Sequence, residues 1–427
     1  MKSQFFENLI SVFPGRLSRR NLFKGTGIAA LSGIAVSVPG CQSSRIKIPT
    51  FESIGVKPFI NCWGTMTTLS GSLQLPEIKM AAEEASKHYV AMEELAEGVG
   101  RRMAELTGAE WGCVTSGAAG AIFASTMACV VGMDSRKSAQ LPDTTGMKNE
   151  AIVARHHNTG YNRSTCKMIG VKLIVVDTKE EMEAAVNDNT AVIYILGEHY
   201  DRGEISFEDM IAIGEKYRIP TMVDAAAERS DVPNVYLEGG ADLVCYSGGK
   251  CLRGPQCAGI LLGRKDLVQA AARSIRGGFG RPMKVGKEEN MAVLAALDLW
   301  INGRDHDREW KEWEGYLKHI RDEIVSITSV TADIIQPIMR SNYAPTLSIK
   351  WNQDTVRITP REVWQQLRDG EPRIAIAQGN PHEAWRAEKE GKPSPRGSGV
   401  TVMPFMMEPG EEIIVAKRLY EVLSNAV

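Results

Sequence analysis

The residues best suited to chemistry in this chain of 427 residues lie in one short stretch. It reads Ser247-Gly248-Gly249-Lys250-Cys251-Leu252-Arg253-Gly254-Pro255-Gln256. The apolar run at 242–246 reads as a buried strand, so Lys250 is delivered by a strand end into a glycine turn. Glycines there give backbone freedom and remove side-chain bulk, which lets a large object come close. A Schiff base to pyridoxal phosphate (PLP) is a chemistry that uses a lysine held against such an object.

Three other features stand in a sensible order around it. Thr115-Ser116-Gly117-Ala118-Ala119-Gly120 sits between a short apolar run and an apolar helix. Small residues expose backbone N–H groups there, and a helix N-terminus favours an anion such as the cofactor phosphate. An ordinary capped helix start has the same pattern. Asp224 directly follows Ile219-Pro220-Thr221-Met222-Val223, so it lies at a strand end, 26 positions before Lys250. A carboxylate there can keep a pyridine nitrogen protonated, or it can cap the next helix. Ser247, three residues before Lys250, offers a hydroxyl to the phosphate. A lone lysine is nearly always a solvated charge, and the four features together argue against that reading.

The elements that must position these residues follow from the apolar pattern. Strands are expected at 151–154, 171–176, 191–196, 220–223, 242–246 and 258–262, with helical patterns at 180–186 and 207–217. Apolar strand, helix, apolar strand predicts an α/β fold with a mostly parallel sheet covered on both faces. Ligands of such sheets sit at the carboxyl ends of strands. Residues 46–75 read as an irregular arm, and 80–106 as helix interrupted near Gly98 and Gly100. A long helix with an interruption around Gly303 spans 287–326, and a smaller α+β domain follows, ending in a helix at 410–423. Residues 381–399, rich in charge, Gly and Pro, read as an exposed loop or lid. The division expected is 46–110 as arm and helices, 111–286 as the large cofactor domain, and 287–427 as linking helix and small domain.

A net charge of −2 gives no electrostatic case for a nucleic-acid partner. Eight cysteines are scattered without a Cys-x-x-Cys pair, which gives no motif for a metal site or a disulfide framework. The first 45 residues read as an address. Ser18-Arg19-Arg20-Asn21-Leu22-Phe23-Lys24 precedes a Gly/Ala-rich apolar run and then Pro39-Gly40-Cys41. Basic segment, short apolar segment and small residues make a signal peptide, and the paired arginines resemble a twin-arginine export signal. Gly40-Cys41 also resembles a lipoprotein cleavage site with a lipid anchor at Cys41. Export to the periplasm or cell envelope is the expectation.

The chain resembles fold type I PLP-dependent enzymes, and within them the selenocysteine synthase (L-seryl-tRNA(Sec) selenium transferase) family and its glucosaminate-6-phosphate ammonia-lyase branch. The resemblance is carried by Ile60-Asn61 with Gly64-Thr65, Glu105-Leu106-Thr107-Gly108-Ala109, Thr115 to Ala119, Ser247 to Lys250, Gly254-Pro255-Gln256, Lys284-Val285-Gly286-Lys287 and Pro409-Gly410-Glu411-Glu412. It implies that Lys250 forms the Schiff base and that Asp224 pairs with the pyridine nitrogen. It also implies that Ser116, Gly117 and Ala118 cradle the phosphate with Ser247 nearby, and that His157 lies by the cofactor ring. Arg373 is a candidate to bind a substrate carboxylate through two parallel hydrogen bonds, and Arg276 and Arg281 are candidates for similar work across a subunit interface. A structural salt bridge is the alternative for each arginine. Arg163 stands where the lyase branch has a second histidine, and His156 where it has a glycine, so the substrate differs from that branch in this expectation.

The resemblance favours α,β-elimination from the Cα of an amino acid or amino sugar acid. Racemisation and transamination use the same Lys250 and Asp224 and stay open. A catalytically inactive exported protein of this fold is the reading from another class. At least a homodimer is expected, because fold type I sites draw on two subunits.

Overall fold

The computed structural model describes residues 48–393 and 397–427. The export signal and Cys41 lie outside the described residues. Of the described residues, 48–56 fall in one unit and 57–427 in another. In the first, a single 3-10 turn at Glu52–Ile54 is described, preceded by reciprocal backbone-to-hydroxyl bonds between Thr50 and Ser53.

The larger unit holds two sheets. Seven strands form the first: β2 (Trp111–Thr115), β3 (Glu150–Ala154), β4 (Lys172–Val176), β5 (Thr190–Leu196), β6 (Thr221–Asp224), β7 (Leu243–Ser247) and β8 (Gly259–Gly263). Their order is β2-β8-β7-β6-β5-β3-β4, parallel except for β8. Near-continuous apolar runs such as Thr190–Leu196 are what a strand buried on both faces requires. Helix Gly117–Val131 is buried almost all round because it crosses this sheet, and it is correspondingly rich in Ala and Gly.

The second sheet has the order β1-β11-β12-β10-β9, with β1 (Ile60–Cys62), β9 (Val330–Ile335), β10 (Thr346–Trp351), β11 (Ile374–Gln378) and β12 (Val400–Val402). Helices His306–Ile324 and Glu411–Ser424 cover it, and Leu317, Ile320, Leu347, Ile349 and Leu419 share one core.

Three expectations are corrected. The arm at 46–75 is not wholly irregular, since Ile60–Cys62 pairs in parallel with Ile374–Ile376 and so edges the C-terminal sheet. The helix expected at 80–106 breaks at 87–91, between Pro76–Ser86 and Met92–Thr107, and not at its glycines. Gly100 lies within the second helix because a Cβ there would overlap the Trp111 indole and come within 2.7 Å of the Gly112 carbonyl. A glycine costs a helix about 1 kcal/mol, which the close packing on β2 offsets. Residues 381–399 are not all loop: Pro381–Lys389 is a helix whose His382 and Trp385 are buried. Asn380 caps it by accepting from the backbone of His382 and Glu383, with Pro381 at the first position. The interruption expected at Gly303 is present as a π turn, Leu299–Gly303.

Candidate active site

One edge of the seven-stranded sheet collects the expected residues. Thr115 of β2 stands opposite Gly259 of β8, and Gly259 opposite Ser247 of β7. Cys245 of β7 stands opposite Asp224 of β6, and Asp224 opposite Leu196 of β5. Parallel β3, β5, β6 and β7 bring their carboxyl ends to this edge, where open α/β sheets hold ligands.

Lys250 lies three residues past the end of β7. Its turn is closed by backbone bonds from Gly248 N to Ala258 O (2.8 Å), Gly254 N to Gly248 O (2.7 Å) and Arg253 N to Lys250 O (2.9 Å). Gly248 and Gly249 are required by crowding. A Cβ on Gly248 would meet Val293 at 2.8 Å and the Ala258 carbonyl at 2.9 Å. One on Gly249 would overlap the Gln256 backbone. The 67–73 segment braces the turn, with Arg253 donating to Leu73 O and Gln256 to Thr67 O.

Asp224 is close enough to feel the charge of Lys250. Burial raises its pKa above the usual carboxylate range, opposed by the Ala226 N–H, which donates to Oδ1 at 3.1 Å, and by Lys250. It therefore also closes a short turn at the strand end; it caps no helix, since the next one, Val235–Glu238, is capped by Asn234. A cationic partner here would be strongly favoured, because an unpaired buried carboxylate is costly.

Gly117 opens helix Gly117–Val131 at φ +67, and a Cβ built there touches nothing within 4 Å. The open space stands at the helix N-terminus, beside Ser116 and Ala118, as an anion cradle requires. Gly259 makes the placement possible, since a Cβ on it would overlap the Gly117 carbonyl group. Ser247 is half-buried, and its N–H donates to Ala226 O at 3.1 Å, tying the ends of β6 and β7.

His157 follows β3 and is 1% exposed. Its Nδ1 accepts from Leu196 N–H at 2.9 Å, and its Nε2 makes no hydrogen bond. Burial, and then the charges of His199 and His156, push its pKa down to about 4, so the ring is neutral. An open anion cradle, a half-buried carboxylate and an orphaned buried imidazole nitrogen on one sheet edge fit a phosphorylated heteroaromatic cofactor.

A cavity of ≈ 600 Å³ lies between the end of β5 and the second sheet, and its walls include Glu198, Arg202, Asn342, Gln378, Asn380 and His382. Arg202 donates to His199 Nε2 at 2.8 Å, lies 3.5 Å over the Trp385 ring, and leaves its Nε without a partner. His382 is 2% exposed with an orphaned Nδ1, its pKa pushed to about 4 by burial and then by Arg386. Lys250 and Asp224 do not line this cavity. Two links join it to them: Asn342 N–H donates to Ala227 O at 2.9 Å, and the charge of Glu198 reaches Asp224.

The three expected substrate arginines are not gathered here. Arg373 donates its Nε to Arg368 O at 2.9 Å, reaches towards Lys57 O, and lines neither this cavity nor a neighbouring one. It stands just before β11, where its guanidinium secures the entry to the edge pairing with β1. Arg276 and Arg281 are brought together with Lys284, but in a cavity of ≈ 360 Å³ walled by Val99 and Cys113, which shares no lining residue with the one at Glu198.

Comparison with known proteins agrees with this geometry. Residues 152–291 match the Aminotransferase class-V family. The chain is 28% identical over 387 residues to a D-glucosaminate-6-phosphate ammonia lyase of Salmonella typhimurium, covering 88% of this chain and 98% of that one. It is 31% identical over 296 residues to a 5'-C-glycyluridine monooxygenase-decarboxylase of a Streptomyces species, covering 66% and 73%. The L-seryl-tRNA(Sec) selenium transferase of Aquifex aeolicus matches at 26% identity over 77% of this chain and 79% of its own. The solved structure of a D-glucosaminate-6-phosphate ammonia-lyase superposes with a TM-score of 0.76 at 27% identity, over 89% of this chain and all of that one.

The chain belongs to the selenocysteine-synthase-like family of fold type I PLP-dependent enzymes.

The residues expected from the sequence, Lys250, Asp224, Ser116, Ser247 and His157, stand along one sheet edge, and the wall of the adjoining cavity was not expected. Glu198, Arg202, Gln378, Asn380 and His382 stand in no local motif. Glu228 was missed too, although it follows Asp224 by four residues in Asp224-Ala225-Ala226-Ala227-Glu228 and is 5% exposed.

Proposed function

We propose that the chain eliminates ammonia from an amino acid or amino sugar acid bearing a β-leaving group. One observation carries this reading: Asp224, a half-buried carboxylate, lies within reach of the charge of Lys250 from the neighbouring strand end in a chain similar to an ammonia lyase. Bound PLP supplies an electron sink for the pair left at Cα. Lys250 would hold the cofactor and Asp224 its ring nitrogen. Ser116, Gly117, Ala118 and Ser247 would hold its phosphate, with neutral His157 against the ring.

Once the substrate amine has displaced it from the cofactor, the freed Nζ of Lys250 would take the proton from Cα. The β-substituent leaves with its bonding electrons, and a hydroxide leaving group takes up a proton to become water. Hydrolysis of the resulting enamine releases ammonia and an oxo acid. Gln378 orients the polar part of the substrate by hydrogen bonds, while Trp63 and Trp385 narrow the cavity. The test is to supply β-hydroxy amino acids and amino sugar acids to the cofactor-loaded protein. Stoichiometric ammonia and oxo acid support elimination, whereas release of the mirror-image amine, or transfer of nitrogen to an added oxo acid, replaces it.

We also infer at least a homodimer. Met92 lines the Arg276 and Arg281 cavity, and the neighbouring Tyr89 and Val90 are exposed. A second copy would cover them and turn those arginines towards its site. A fully active monomer at micromolar concentration contradicts this. We also infer export, from the paired Arg19 and Arg20, the apolar run after them and the small residues before Cys41. Replacing both arginines with Lys should leave the protein in the cytoplasmic fraction.

A further inference from the structure

A second cavity, of ≈ 570 Å³, adjoins the first, and Met339 lines both. Its walls come from the same strand ends. Tyr200 stands four residues past β5, and Glu228 and Arg229 follow β6. The facing wall is the 337–343 segment, which Asn342 ties to the turn after Asp224.

Arg340 carries the argument. Its guanidinium carbon is 4.7 Å from the Tyr200 ring centre and 5.3 Å from that of Tyr236. It is half-buried, hydrogen-bonds Tyr200 and feels the charge of Glu228, but no carboxylate among the described residues bridges it within 4 Å. Arg229, in the same cavity, is already paired with Asp231 at 2.8 Å. Aromatic faces hold a guanidinium in one plane, and an unpaired planar fork accepts a phosphate or carboxylate through two parallel bonds.

Glu228 is the group that would oppose an anion here. One of its oxygens accepts from the Tyr236 hydroxyl at 2.6 Å, and the other has no partner although the side chain is 5% exposed. Burial pushes its pKa up to about 7, so the neutral acid is populated near neutrality and presents a donor in place of a like charge. The remaining acid in the cavity, Asp231, is held by Arg229 and the Trp300 indole.

We propose that this second cavity is an anion-binding lobe of the active site, in which Arg340 receives a phosphate or carboxylate that the substrate carries away from its amine. The proposal rests on the reading that the amine reacts at Lys250. A site built for a short amino acid alone has no use for an adjoining space with an arginine that no carboxylate bridges. A longer substrate can lie past Met339 with its amine at the sheet edge and its anionic end on Arg340.

The test uses the full, cofactor-loaded chain with 2-amino-2-deoxygluconate and its 6-phosphate, read by the change in cofactor absorbance on binding. The phosphorylated amine should bind at least about tenfold more tightly, and Arg340→Met should remove that advantage while leaving the unphosphorylated amine within about twofold. Arg340→Lys, which keeps the charge and loses the fork, should restore part of it. Equal weakening of both amines by Arg340→Met, or no advantage in the wild type, overturns the proposal. Calorimetry with inorganic phosphate separates the two sources of anion. Phosphate that binds at Arg340 without any gain for the phosphorylated amine means a free-anion site, and the substrate-borne anion is then refuted. Loss of cofactor absorbance in the wild type would instead sink the Lys250 reading. In that case phosphate binding that is insensitive to Arg340→Met would refute the lobe on its own.

Discussion

The floor and the wall of this site are built in opposite ways. The floor is the carboxyl edge of the seven-stranded sheet, where Asp224, Lys250, His157 and the Gly117 turn are held by short backbone bonds and by glycines that nothing larger can replace. The wall at Gln378, Asn380, His382 and Trp385 comes from the second sheet and its capped helix, and it keeps orphaned polar atoms at Arg202 and His382. A rigid floor suits chemistry common to many amines. A wall with unspent hydrogen-bonding groups suits the choice among them. Under the proposed function, the difference assigns reaction type and substrate choice to separate parts of the chain.

The predictions set floor against wall. Asp224→Ala should lower kcat by about 10³-fold for every amine tested, with the protein still folded. A loss confined to one substrate would break the division. His157 is next. Its neutral form is favoured in the folded state, so between pH about 6.5 and about 4 the unfolded chain binds more protons. Stability from this group is fully present above the unfolded pKa of 6.5 and is lost as pH falls towards 4, by about 3 kcal/mol in total. Denaturant titrations of the cofactor-free protein should show that slope, and His157→Gln should flatten it.

On the wall, Gln378→Ala should raise KM for the true substrate about tenfold with kcat for simple amines unchanged, the cost of one lost hydrogen bond. Arg373→Ala should matter least. Its guanidinium is spent on backbone carbonyls, so KM should stay within about twofold and only modest stability should be lost. A large KM change there would move the carboxylate site back to the position expected from sequence.

The floor was legible in the sequence because its signals are local. Each functional residue follows an apolar run that must be a strand, and the small residues mark where something approaches. The wall was not legible, because its members meet only through pairings between distant segments. Ile60–Cys62 pairs with Ile374–Ile376, and Gln378 is placed by β12. The Pro381–Lys389 helix was hidden by the charge and glycine of the residues after it, although Asn380-Pro381 is a helix start. Gly100 misled for the converse reason, marking a close approach of helix to sheet where a helix break was expected.

The central claim is that Lys250 holds the cofactor. Borohydride reduction of the cofactor-loaded protein, followed by mass spectrometry of its peptides, tests it most directly. The account predicts the reduced cofactor on the peptide containing Ser247-Gly248-Gly249-Lys250 and on no other lysine. An adduct on a different lysine, or one that persists in Lys250→Ala, would contradict it.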